Sequence, residues 1–119
     1  EPSIERAIEL AEAGDPLGAL MEYNRLDQLR DSQLSPADLN RLAETLLDST
    51  NRFPDSDADA AAILAEIAAT YAIRVAKQES EEIGGGEGED REAERERLAE
   101  EIAKARRLQR TARALVNHN

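Results

Sequence analysis

Cysteine and tryptophan are absent from this 119-residue chain, and histidine occurs once. Without thiols there is no disulfide, thiolate metal site, cysteine nucleophile or iron–sulfur cluster of the usual kind. The lone imidazole, His118, stands one residue from the end, where chains are usually poorly ordered. Zinc sites built on paired imidazoles, histidine triads and the Glu-x-x-His motif of di-iron bundles therefore have no members. Aromatics are scarce, with only Tyr23, Phe53 and Tyr71 to support a core. No stretch approaches the ~20 uncharged apolar residues of a membrane-spanning helix. The start, Glu1-Pro2-Ser3, lacks both a leader pattern and an initiator Met, which fits a processed or excerpted form.

Basic residues are also few: 15 against 26 acids, a formal charge of -11 and a pI near 4.5. A phosphate backbone or an anionic membrane surface would repel such a molecule, so neither nucleic acid nor membrane is expected as a partner. The composition reads as a soluble single domain over residues 1–119, with the compartment left open and the cytoplasm favoured. Arg outnumbers Lys by 13 to 2 and Ala is abundant, a bias compatible with a GC-rich genome, a salt-adapted proteome or a designed helical protein.

What is present is turn chemistry and helical periodicity. Gly14-Asp15-Pro16 and Ser35-Pro36-Ala37-Asp38 each put a helix start a few residues behind a helix stop. Gly suits the left-handed position past a helix end, Asp and Ser accept bonds from orphan amides, and Pro fits the first turn, where no donor is needed. The periodicity predicts five helices. The first runs from about Ser3 to Ala13, with Ile4, Ala7, Ile8 and Ala11 on one stripe. The second runs from Pro16 to about Arg30, with Leu17, Leu20, Met21 and Asn24 in one row and Ala19, Tyr23 and Leu26 beside it. The third starts behind Ser35, presents Leu39, Leu42, Ala43, Leu46 and Leu47, and stops before Phe53-Pro54. The fourth runs from Ser56 or Asp57 to about Glu82, with Ala60, Ile63, Leu64, Ile67, Ala68, Tyr71 and Val75 inward. After a glycine-rich flexible loop at 84–88 comes the fifth, from Asp90 to Val116, carrying Leu98, Ile102, Ala105, Leu108, Ala112 and Leu115. Its first two turns contain only Ala93 as an apolar residue and should project into solvent. The heaviest folding load is expected on Leu20, Leu42, Leu46, Ile63, Ile67, Tyr71 and Leu108, with Ala elsewhere bringing the helices close together.

The segment Ala11 to Leu26, AEAGDPLGALMEYNRL, resembles the second half of a tetratricopeptide repeat. Gly14, Ala19, Tyr23 and Leu26 match, supplying in turn the interhelix bend, the helix–helix contact and the aromatic filler towards the next hairpin. Phe53-Pro54-Asp55-Ser56-Asp57 looks like a junction between repeats in the cell-envelope branch of that family. The resemblance covers about a third of the chain, and the two fragments are out of step with a 34-residue period. It implies a non-catalytic scaffold that takes a peptide or partner helix in a groove. The family's peptide-clamp Asn and Lys/Arg positions have no identifiable counterparts.

Three patterns invite chemistry. Asp55-Ser56-Asp57-Ala58-Asp59 with Glu66 has the ligand spacing of a calcium loop, but Ala60 occupies the position that needs Gly and Pro54 breaks the entering helix; helix capping explains the acids more simply. Paired acids Glu92/Glu96 and Glu100/Glu101 stand among arginines, as on a solvated helix face. Arg106, Arg110 and Arg113 form a stripe that could meet an anionic partner, or could complement the helix C-terminus and neighbouring acidic helices. Glycines 84 to 88 follow no strand and lie beside acids, so they are no phosphate cradle.

The sequence thus predicts an all-α fold of about five helices: antiparallel hairpins in a bundle or short repeat-like stack, ending in a long helical hairpin. No enzyme, cofactor or metal is expected. The expected role is a helical scaffold or protein-interaction module, its binding surface around Tyr23, Asn24, Arg25 and Tyr71. The alternatives are a bundle that binds a small ligand or metal, or one that self-associates as a homo-oligomer through the fifth helix.

Overall fold

Three of the five helix starts are capped by a side-chain oxygen that accepts an orphan amide. In the computed structural model, which describes residues 3–27, 34–48, 55–83 and 88–117, Ser3 Oγ accepts the Arg6 amide at 3.1 Å and opens α1 (Ile4–Glu12). The end of α1 is closed by two bonds, Asp15 N–H to Leu10 C=O at 2.9 Å and Gly14 N–H to Ala11 C=O at 3.2 Å. This is the Schellman pattern, and it needs the positive φ of +88° that Gly14 adopts. Asp15 then caps α2 (Pro16–Asp27) by accepting the Gly18 amide at 2.9 Å. A Cβ at position 18 would sit 2.2 Å from an Asp15 carboxylate oxygen, so glycine there leaves room for the cap. Ser35 repeats the device for α3 (Pro36–Asp48), with the Asp38 amide at 3.1 Å. The two long helices are α4 (Asp55–Ile83) and α5 (Glu89–Asn117).

The five helices account for 93% of the described residues, and no strand occurs among them. Side-chain bonds fix their directions. Gln109 Nε2 donates to Thr70 Oγ1 at 2.8 Å and Arg113 Nε to Glu66 Oε1 at 3.0 Å, so α5 runs antiparallel to α4. Asn40 Nδ2 donates to the Glu101 carbonyl at 2.9 Å and Lys104 pairs with Glu44 at 3.0 Å, so α3 and α5 run parallel. Helices α1, α3 and α5 form one layer; α2 and α4 cover it from one side. The molecule is 50 × 32 × 18 Å, thin because it is two helices deep.

Alanine makes this possible. Of the 22 buried apolar residues among those described, 13 are alanine, and α4 alone buries Ala61, Ala62, Ala65, Ala68, Ala69, Ala72 and Ala76. Small side chains let α4 approach α3 and α5 closely, exchanging transfer free energy per residue for many close contacts. The large buried apolar side chains come from α1 (Ile4, Ile8), α2 (Tyr23, Leu26) and α3 (Leu39, Leu42, Leu46), with Leu64 and Leu98 the single ones from α4 and α5 among the described residues.

Two expectations about the core are corrected. Ile63 and Ile67 are outside it, because α4 turns its alanine stripe inward; that stripe runs from Ala61 to Ala76 uninterrupted by polar residues, whereas the isoleucine stripe continues into Thr70, Arg74 and Lys77. On α2 the exposed row is Leu17, Met21 and Asn24, and the buried row is Ala19, Glu22, Tyr23 and Leu26. Leu42 and Leu46 are fully buried, while Leu20, Tyr71 and Leu108 are half-buried against the core. The apolar stripe of α5 is used within the molecule, with Leu98, Ala105 and Ala112 buried and only Leu115 largely open. The glycine-rich loop, apart from Gly88, and His118 lie outside the described residues.

Candidate interaction groove

The outer surface of the α2/α4 layer carries four of the five exposed large apolar side chains of the described residues: Leu17 (51% exposed) and Met21 (59%) on α2, Ile63 (45%) and Ile67 (42%) on α4. Between the two helices lies an open groove of about 480 Å³, lined by Tyr23, Ile63, Glu66, Ile67, Thr70, Tyr71 and Arg74. Tyr23 is buried beneath it and Tyr71 half-buried at its wall. The lining thus combines apolar and aromatic surface with a carboxylate, a hydroxyl and a guanidinium, the composition of a recognition site.

The structure brings Tyr23 and Tyr71 together in this groove. Asn24 and Arg25 are exposed on α2 but do not line it. Arg25 lies 4.0 Å from Glu22, and Arg6 of α1 approaches the same carboxylate at 3.9 Å. Glu22 is itself buried and accepts the Ser3 amide at 3.0 Å, so it ties the start of α1 to α2.

The stripe Arg106, Arg110 and Arg113 lies along the α4 side of α5, where the Gln109–Thr70 and Arg113–Glu66 bonds set residues 106–113 beside residues 66–73. Arg113 is engaged by Glu66; Arg106 and Arg110 are exposed, with no ion pair to another described residue. On the opposite flank of α5 are two further depressions, of about 460 Å³ and 180 Å³, which share Lys104 and Arg107 and are interrupted by Glu100, Glu101 and Glu44.

Sequence reasoning missed two buried polar side chains. Asn40 is fully buried in the α3/α5 contact, where its amide reaches the main-chain carbonyl of Glu101 and, at 3.3 Å, its carboxylate, while its own oxygen has no partner among the described residues. Glu101 is accordingly half-buried rather than one of a solvated pair. A signal existed in both cases: Glu22 and Asn40 each sit at helical spacing inside an apolar stripe. The segment from Asp55 to Glu66 is helical throughout, so it does not adopt the loop a twelve-residue calcium site requires. Among the described residues no group of three or more His, Cys, Asp or Glu side chains is placed to hold a metal ion, and no helix is long and apolar enough to cross a membrane. Comparison with protein families, curated proteins and solved structures returned no match.

Proposed function

We propose that this protein is a non-enzymatic helical scaffold that takes a segment of another protein in the groove between α2 and α4. One observation carries the reading: Ile63 and Ile67, two β-branched side chains one turn apart, are held 45% and 42% in solvent at a concave site although the same helix has inward positions occupied by alanine. Large apolar side chains gathered at a groove rather than scattered singly are what an interface leaves on an isolated chain. The resemblance of residues 11–26 to a tetratricopeptide hairpin adds support, since such hairpins serve as scaffolds for peptides.

The test is selection from a displayed library of short helical peptides against the whole chain, counter-selected against Ile67→Glu. Enrichment of sequences that need both Ile67 and Tyr71 supports the reading. Binders that ignore both Ile67→Glu and Tyr71→Ala reject this location. Light scattering that gives twice the monomer mass, lost in Ile67→Glu, would replace the reading by self-association. A melting shift with a small molecule would replace it by the ligand-binding alternative.

A further inference from the structure

The charge at the end of the groove that runs from Ile67 to Lys77 is opposite in sign to that of the molecule. With a net -11 overall, the chain places only one acid, Glu66, in residues 60–78 of α4 and 103–116 of α5, against two cations from α4 and five from α5. Glu66 is held by Arg113, and on α2 the only acid in residues 16–26, Glu22, is buried between Arg6 and Arg25. Asp59 stands one turn before Ile63 and Glu81 one turn past Lys77, but between them what reaches solvent from Ile67 onward is positive: Arg74 in the groove lining, Lys77 one turn further, and Arg106 and Arg110 along the adjoining edge of α5.

Resting on the groove as a docking site, we propose that its occupant is an acidic amphipathic helix of another protein. Its apolar side chains, at i, i+3, i+4 and i+7, enter between Tyr71 and Ile67, and its flanking carboxylates meet Arg74, Lys77, Arg106 and Arg110. The groove lies between two helices and is floored by apolar groups one turn apart, the geometry of helix-in-groove recognition. A second copy of the chain is a poorer occupant: a two-fold contact through this face would set like charges against each other. The acid-rich start of α5, with Ala93 as its single apolar residue up to Arg97, has nothing to fill the groove. Nucleic acid would meet the same cations but would leave Ile63 and Ile67 unpaired, and the field of the remaining acids opposes it.

Fluorescence anisotropy of the intact chain with three labelled four-turn helical peptides tests this. All carry the same Leu stripe; their outer positions are Glu, Ser or Lys, and a single-stranded oligonucleotide serves as a fourth probe. The Glu peptide is expected to bind about tenfold or more tighter than the Ser peptide, and to weaken about tenfold between roughly 0.05 M and 0.5 M salt. Lys77→Glu with Arg106→Glu, both exposed and outside the groove lining, should remove that advantage and leave Ser-peptide binding unchanged, with circular dichroism confirming the fold. Equal affinity for the three peptides, or tighter binding of the Lys peptide or the oligonucleotide, overturns the acidic partner. If the Ser peptide binds and Ile67→Asn abolishes its binding, the groove survives that failure. If no peptide binds at about 1 mM, the groove and the acidic partner fall together.

Discussion

Single positions on α4 have opposite structural meanings although they look alike in sequence. Leu64 is fully buried beneath Leu- and Ala-bearing helices, whereas Ile67, three residues on, is 42% exposed. Leu64→Ala should cost about 2–5 kcal/mol, because it leaves a cavity that alanine neighbours cannot collapse to fill. Ile67→Ala should fall within about 0.5 kcal/mol of the parent, as for a surface substitution. Urea titration of the two variants checks the pair, and a large loss for Ile67→Ala would return it to the core. Asn40 gives a second contrast. Its amide donates to an acceptor-only environment, the Glu101 carbonyl and carboxylate. Asn40→Asp would set an unpaired buried carboxylate against those oxygens and should cost about 3–5 kcal/mol at neutral pH. Asn40→Leu removes the half-satisfied amide altogether and should be far milder.

At the scale of the element, helix ends were legible and helix rotation was less so. Starts at Ser3, Pro16 and Ser35–Pro36 follow from capping chemistry that needs no tertiary contact, and the cap bonds at Ser3, Asp15 and Ser35 are those expected of these residue types. The face an alanine-rich helix buries is harder to read. Ranking by hydrophobicity chose the isoleucines, but in a two-layer stack the contact goes to whichever stripe lets three neighbours approach, and on α4 that is alanine. This is also why only Tyr23 and Tyr71 of the expected surface meet at the groove: hydrophobicity alone places Ile63 and Ile67, which line it with them, in the core. Helix α5 supplies a local electrostatic test. Arg97 donates through its side chain to Glu94 one turn earlier, which holds that carboxyl below its ordinary value, and Glu94 in turn raises the Arg97 guanidinium. Carbon-detected titration should place the Glu94 midpoint below the ordinary glutamate value, and Arg97→Gln should bring it back. A depressed carboxyl stabilises the fold above its unfolded-state value and loses that contribution as pH falls through the folded-state value. For so exposed a pair the readout is the midpoint and not the unfolding transition.

Across the whole molecule, two electrostatic effects have opposite responses to salt, and this separates them. The fold carries 26 acids against 15 bases, and compacting them works against mutual repulsion. Interhelix pairs oppose that repulsion, notably Lys104–Glu44 and Arg113–Glu66, each at 3.0 Å. Both pairs are partly exposed, and such pairs contribute no more than about 1 kcal/mol each. The excess of eleven like charges therefore dominates, and salt that screens beyond about 10 Å relieves more repulsion than attraction. At pH 7, raising sodium chloride should move the urea midpoint of the free chain upwards with no change in slope, while the same salt weakens the association of an acidic helix with the Arg74–Lys77 edge. A urea midpoint that falls with salt would mean the interhelix pairs outweigh the net charge. Stability and binding that rise together would assign the groove to apolar contact alone, with no part for its cationic rim.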